Sequence, residues 1–560
     1  MTASIQEDHN EDRPDTEDTP LLGSSTTDAQ THVLPTRQLV IVFTALAFVQ
    51  FTSFLDQTAI STALPSIAQD LHAGSSISWV GASFLISSTS VQLINGRLSD
   101  IFGRKNCLIA TLTVMGLGNL LSGFARTPFE LYVTRAVSGL GAGAINALVQ
   151  VTISDITTLS QRGKYFGIIG IFVALGNGLG PVIGGVLTKQ ASWRWAVWFI
   201  SPMAALAVGI LYFVLPTSRM SGNMWTKLKM VDWFGVIVSV LAVVLVLVPV
   251  SQGGSALPWS SPIVIAMLSA ACALWIAFVF LESRVVRLPI VPMRLFSNGY
   301  SANILLAQNL AIGWVYWSNL FYLPMYFQNV RGWSPTEAGS LILPMVIAHG
   351  IFSGLSGFLL SWTGRYWPIV VGGTSIWTLA TSGKAFYGPN TPVWVFIVVG
   401  MFEGLGVGFC FQPVLVALMT NSANEDRAVM TGLRNFIRAM GGAVGITVSG
   451  AILSNVLQLG LGDKFSPEVI ARLTSSVQNL PDSEFSRDEM HLILSVYMAG
   501  LHAVFISFVP LIALCFLSSL LVKDYPIGGK DQKTERRTQT GRPNHNLEEP
   551  AELPTGRDGV

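Results

Sequence analysis

The chain has 560 residues, 51% of them hydrophobic and only 12% charged, against roughly 25% charged in soluble domains. That excludes an ordinary soluble enzyme. A net charge of +1 and a pI near 7.7 leave no basic field to hold nucleic acid. Cys107, Cys272, Cys410 and Cys515 are scattered through apolar stretches, without the spacing of a disulfide framework or a metal site. No metal and no cofactor is expected.

The first 37 residues are acidic, with Glu7, Asp8, Glu11, Asp12, Asp15, Glu17 and Asp18, where a secretory signal would carry a basic stretch and an apolar core. The first apolar run is therefore expected to stay in the protein as a helix. A membrane-crossing helix takes about 20 mainly apolar residues. Such runs centre near Ala47, Ile86, Val114, Gly143, Leu175 and Ala205, then near Val240 and Leu274, then near Trp314, Val346, Thr374, Gly404, Ala443 and Ser507. The sequence thus predicts an all-α membrane protein of fourteen transmembrane helices. Residues 38–218 form a six-helix bundle, 219–297 two linking helices and 298–523 a second six-helix bundle. Residues 1–37 and 524–560 are polar tails, expected to be disordered.

Fourteen crossings put both ends on one side, and the loops on that side hold thirteen basic residues against eight opposite, Lys384 being one of the eight. By the positive-inside rule both tails face the cytosol. An internal repeat runs through the chain. Gly96 to Arg104 matches Gly357 to Arg365 at an offset of 261 residues, with Gly, Leu, Gly and Arg in register. Gly139, Gly141 and Gly143 match Gly404, Gly406 and Gly408, and Gly167, Gly176, Gly180 and Gly185 match Gly432, Gly441, Gly445 and Gly450, both at 265. Duplicated bundles are a common plan of secondary transporters.

Three stretches invite a chemical reading. Gly96-Arg97-Leu98-Ser99-Asp100-Ile101-Phe102-Gly103-Arg104-Lys105 is a tight charged turn, in which Asp100 can latch onto a basic group or helix N-terminus of the facing bundle. In the second copy Ser361 stands in place of the aspartate. The fifth span, with Gly176, Gly178, Gly180, Pro181, Gly184 and Gly185, has the small residues that admit a neighbouring backbone and a proline that can kink the helix. Charges within spans are costly and mark function by default. Asp56, Arg135, Glu403, Arg434 and Arg438 lie in or beside apolar runs. Asp56 and Glu403 are proton-carrying candidates. A structural hydrogen-bonding role for Asp56, and a plain ion pair of Glu403 with Arg434 or Arg438, stay open. Trp314, Tyr316, Trp317, Phe321, Tyr322, Tyr326 and Phe327 crowd the ninth span; Trp314, Trp317 and Tyr322 are candidates to line a substrate cavity, an interfacial belt being the other reading. His349 and His502 read as core histidines.

The Gly96 to Lys105 turn resembles the loop signature of the major facilitator superfamily, and the fifth span resembles that of its antiporter branch. With Leu55 to Pro65, Arg135 to Gly143 and Ser192 to Pro202, residues 38–523 are similar to the fungal fourteen-span drug/proton antiporters. Ser201 and Ala59 stand where asparagine and isoleucine are usual in them. The resemblance implies a major facilitator fold and proton exchange for a small organic molecule such as a drug, toxin or secondary metabolite. It also implies a part in proton transfer for Arg135 and a cytosolic gate at Gly96, Asp100, Gly103 and Arg104. The expected partners are the lipid bilayer, protons and the substrate, with no nucleic acid, and the expected state is a monomer. There is no phosphate-binding loop, zinc-protease motif or catalytic triad pattern, so no enzyme is expected. The plasma membrane is favoured. The alternative, a vacuolar basic amino acid transporter, draws on Glu17-Asp18-Thr19-Pro20-Leu21-Leu22, which resembles an acidic dileucine sorting signal.

Overall fold

The computed structural model describes residues 35–524 apart from 74–75, 78, 217–230, 253–258, 287–288, 298, 424–425, 467–468 and 471–485. The acidic tail, its dileucine stretch, the second tail and the loop cations Arg219, Lys227, Lys229, Arg287 and Arg472 lie outside the described residues.

The described chain is helical. The long helices are α1 Thr36–Ala59, α2 Trp79–Phe102, α3 Arg104–Ser122, α4 Pro128–Ile156, α5 Leu159–Gln190, α6 Ile200–Val214, α7 Trp233–Gln252, α8 Pro262–Arg284, α9 Tyr300–Asn329, α10 Leu343–Thr363, α11 Trp367–Gly383, α12 Val393–Thr420, α13 Arg427–Leu461 and α14 Arg487–Ser519. Among the described residues ten helices are long and apolar enough to cross a membrane. The other four, α2, α3, α9 and α11, pack among them; α2 is diluted by Ser87, Ser88, Thr89, Ser90, Gln92 and Asn95, most of which are buried against neighbours.

Local sequence sets the boundaries. Gly103, at φ +88°, turns the chain from α2 into α3, a conformation other residues rarely adopt. Thr127 caps α4 by accepting from the Glu130 amide at 3.3 Å, with proline in the first turn. Gly364, at φ +64°, closes α10. At the far end of the first group Asp70 accepts hydrogen bonds from the Trp193 indole at 2.9 Å and from Arg194 at 2.7 Å. The indole, and then the guanidinium, hold its carboxyl below the usual carboxylate range. This tie is complete at neutral pH and is lost only as acid protonates Asp70.

Helix packing repeats itself. In the first group α2 packs on α4, α3 on α4, α1 on α5 and α3 on α6; in the second, α10 packs on α12, α11 on α12, α9 on α13 and α11 on α14. Each pair has its counterpart eight helices on. The two groups meet along two seams, α5 on α10 and α13 on α2, and these are reciprocal as well. A Cβ on Gly96 of α2 would stand 2.9 Å from the Ala428 carbonyl and Val429 Cα of α13, and a Cβ on Gly163 of α5 would stand 2.9 Å from the Gly357 carbonyl of α10. Gly163 lies 265 residues before Ala428, and Gly96 lies 261 before Gly357. The inserted α7 leans on both α2 and α13, with Thr447 of α13 donating to the Val250 carbonyl at 2.6 Å.

Within the first group α5 lies close along α1. Thr58 and Thr62 donate to the Gly176 and Pro181 carbonyls at 3.3 and 3.1 Å, and a Cβ on Gly184 would overlap the Ala59 backbone carbonyl. Gly178 instead faces Val346 and Leu343 of α10 at ordinary contact distance. Gly184→Ala forces two backbones apart and is expected to cost about 1–3 kcal/mol, while Gly178→Ala is accommodated. Thermal unfolding of the two variants in detergent checks this: a lowered midpoint for the first and an unchanged one for the second.

Candidate functional site

Asp56 on α1 and Arg135 on α4 form an ion pair, Nη1 to Oδ1 2.9 Å, with both side chains 1% exposed. Asn119 on α3 donates to the second carboxylate oxygen at 3.0 Å and to the Ser138 hydroxyl at 2.7 Å, and its own carbonyl accepts from Arg135 at 3.0 Å. The Ser138 hydroxyl lies 3.3 Å from the same carboxylate oxygen, and the guanidinium rests on the Phe84 ring, 4.5 Å from its centre. Three helices thus converge on one carboxylate. Out of water such a charge is tolerated only when partnered this completely.

A second buried pair lies in the second group. Lys384, just after α11, meets Glu403 of α12 at 2.6 Å, both 1% exposed. Asn319 of α9 and the Trp377 indole of α11 donate to the same carboxylate at 3.1 and 3.3 Å, and Lys384 also donates to Asn319. The partner of Glu403 is therefore Lys384, neither Arg434 nor Arg438. Lys384, counted above among loop cations, is fully buried, because that carboxylate compensates it. Asn119 and Lys384 occupy matching places at the repeat offset of 265, as do Ser138 and Glu403, while Asp56 and Asn319 are 263 apart. The same three places carry a buried polar knot in both halves, with different charges.

Between the groups lies a cavity of about 190 Å³, lined from α1 by Ser53 and Gln57, from α4 by Arg135 and Asn146, and from α13 by Asn435 and Arg438. Of the three aromatic candidates Trp317 lines it. Trp314 packs against Gly445 of α13, and Tyr322 donates to the Ile446 carbonyl at 2.8 Å. Arg434 is fully buried behind the cavity, donating to Asn309 at 3.1 Å, to Asn435 at 3.0 Å and to the Phe411 carbonyl. Asp100 pairs with Arg104 at 2.6 Å, and Arg104 bonds Asp155 at the end of α4 at 2.9 Å, so these charges tie α2, α3 and α4 together. Across the seam Gly96 lies against Ala428 and Val429, and Gly432 against Gln92. His349 is buried against Tyr316 and Phe411.

The family model described as Major Facilitator Superfamily matches residues 46–446. The chain belongs to that superfamily. Among curated relatives, Citrate exporter 1 of Yarrowia lipolytica is 39% identical over 505 residues, covering 90% of this chain and 75% of the relative. Vacuolar membrane amino acid uptake transporter fnx2 of Schizosaccharomyces pombe is 28% identical over 510 residues, covering 89% and 86%. A solved proton:xylose symporter of the superfamily superposes with a TM-score of 0.56 at 15% identity, covering 88% of this chain and 97% of that one, which shows the shared fold. This major facilitator protein is an integral multi-pass membrane protein and a secondary transporter of small molecules, not an enzyme.

The sequence pointed to Asp56, Arg135 and Glu403 but passed over Asn119, Ser138, Asn319, Trp377 and Lys384. Only the repeat offset could have found Lys384. Glu403→Gln leaves the Lys384 ammonium buried without its carboxylate, at a cost of about 3–5 kcal/mol. The Lys384→Met/Glu403→Gln double variant removes both charges and should recover much of the loss. Thermal unfolding of the purified variants measures both; equal losses in the single and double variants would contradict the pairing.

Proposed function

We propose that this transporter is a proton-coupled antiporter of the fungal fourteen-span drug/proton type, exporting small organic molecules by alternating access. On this reading all fourteen helices cross the bilayer, residues 38–218 and 298–523 are the moving bundles, 219–297 link them, and the tails 1–37 and 524–560 face the cytosol. The protein works as a monomer in the plasma membrane.

The observation that carries the coupling is that Arg135 lines the central cavity while paired with buried Asp56. Protonating Asp56 cancels its pull on Arg135 and loosens α1 from α4; deprotonation draws them together again. Helix packing beside the substrate path then depends on the proton, which is what coupling requires. Glu403, caged by Lys384, Asn319 and Trp377, serves as a structural counterpart. The glycine seams at Gly96 and at Gly163 with Gly357, where backbones lie in close contact, are on this reading the cytosolic gate, with Asp100, Gly103 and Arg104 fixing the shape of the turn beside it. The close α1–α5 contact at Gly176, Gly180, Pro181, Gly184 and Gly185 keeps the empty carrier from leaking protons. The likeness to a citrate exporter supports the outward direction. The alternative, vacuolar uptake of basic amino acids, is supported by the more distant fnx2 likeness.

Asp56→Asn keeps the shape and removes the titratable group. In vesicles carrying a pH gradient, proton-driven flux should fall to background while gradient-free exchange of substrate persists and the protein still reaches the membrane. Unchanged gradient-driven flux would remove Asp56 from the coupling.

A further inference from the structure

The cavity has a charge imbalance that the coupling pair does not use. Its charged lining residues are Arg135 and Arg438. Arg135 is neutralised by Asp56. Arg438 donates to the Asn435 carbonyl, at 3.3 Å, and lies over the Phe411 ring, 4.8 Å from its centre. Directly behind it Arg434 shares the same Asn435 oxygen, at 3.0 Å, and its other donors end on neutral carbonyls. Among the described residues no carboxylate lies within ion-pair distance of either arginine. Two guanidiniums thus stand one helical turn apart on α13 with a single neutral oxygen between them. The buried cations Arg135 and Lys384 are each matched with an acid. Here no counter-charge stands among the described residues. The same cavity holds Gln57 and Gln92, each with a buried amide oxygen lacking a partner.

We infer that the central cavity takes an organic anion, a small carboxylate, whose charge is met by Arg438 at the cavity wall and backed by Arg434. This rests on the transporter reading above and names its substrate class. A carboxylate pairs with a guanidinium through two parallel N–H donors, and in a site shielded from water that pairing supplies what the protein withholds. The free amide oxygens of Gln57 and Gln92 accept, so they suit a hydrogen-bond donor elsewhere on the molecule rather than its carboxylate. The volume suits a compact solute, since a cavity of about 150 Å³ holds a benzene ring. A cationic amino acid would bring a like charge to Arg438 and is disfavoured, which sets this site against the vacuolar alternative.

The test uses the full chain purified in detergent and titrates propane-1,2,3-tricarboxylate, succinate and lysine by calorimetry. The tricarboxylate should bind, succinate more weakly, and lysine not at all. Arg438→Gln should weaken the tricarboxylate about 10- to 100-fold, with Arg438→Lys recovering part of it. Asn435→Asp puts the missing carboxylate between the two arginines. It should abolish anion binding while leaving the melting temperature equal to or above that of the wild type, an outcome a purely structural role for Arg438 does not produce. Binding of lysine in preference to the carboxylates, or undiminished tricarboxylate affinity in a stably folded Asn435→Asp protein, overturns the inference. Tricarboxylate binding that survives in Asp56→Asn while its proton-driven flux is unchanged leaves the anion site standing and removes only the coupling scheme.

Discussion

A charge held away from water must be met by polar groups within hydrogen-bond reach, best of all by an opposite charge, and much of this protein's interior is arranged around that demand. The cost of leaving one ion unpaired is several kcal/mol, a large part of a typical folding free energy. Asp56 with Arg135 and Glu403 with Lys384 meet the demand by drawing three helices each onto one carboxylate. Asparagine serves both: Asn119 and Asn319 donate to the acid and accept from the cation. An amide is suited to this place because it offers both kinds of group at once.

Around these fixed points the helices must also slide against each other, and here small residues take over. Glycine at Gly96, Gly163 and Gly357 brings backbone to within contact of backbone across the two seams, so that closure relies on dispersion and shape rather than on long side chains that would interlock. The seams are related by the internal repeat. The inserted α7, resting on both α2 and α13, lies over one of the two and breaks that equivalence.

The helices were legible because apolar runs of membrane length and glycine registers are local signals. The offsets of 261 and 265 residues correctly paired Gly96 with Gly357 and the fifth span with the thirteenth, and the packing scheme repeats eight helices on. The polar partners were not legible in the same way. Asn119 and Asn319 look like ordinary polar residues in a span, and nothing local says which carboxylate they serve. Lys384 follows the short polar run Ala380 to Gly383 and read as a loop charge. Its burial follows from Glu403, 19 residues on, a contact fixed by how α11 and α12 lean together. Likewise the crowded aromatics of α9 gave no sign that Trp317 faces the cavity while Trp314 and Tyr322 turn to α13.

The two polar knots occupy matching places, yet they stand differently toward the cavity, and the reason lies in where each keeps its cation. In the second group the cation is Lys384, at the end of α11, a helix that packs on α12 and α14, so the pair is closed in on itself. In the first group the matching place holds neutral Asn119, and the cation comes instead from Arg135, one turn before Ser138 on α4, at a place matched in the second group by Gly400. Helix α4 borders the cavity, so moving the positive charge from α3 to α4 carries it from the periphery to the cavity wall. A duplicated scaffold thereby acquires one pair that lies away from the cavity and one whose cation lines it. The difference between the two halves at the cavity follows from the position of a single guanidinium.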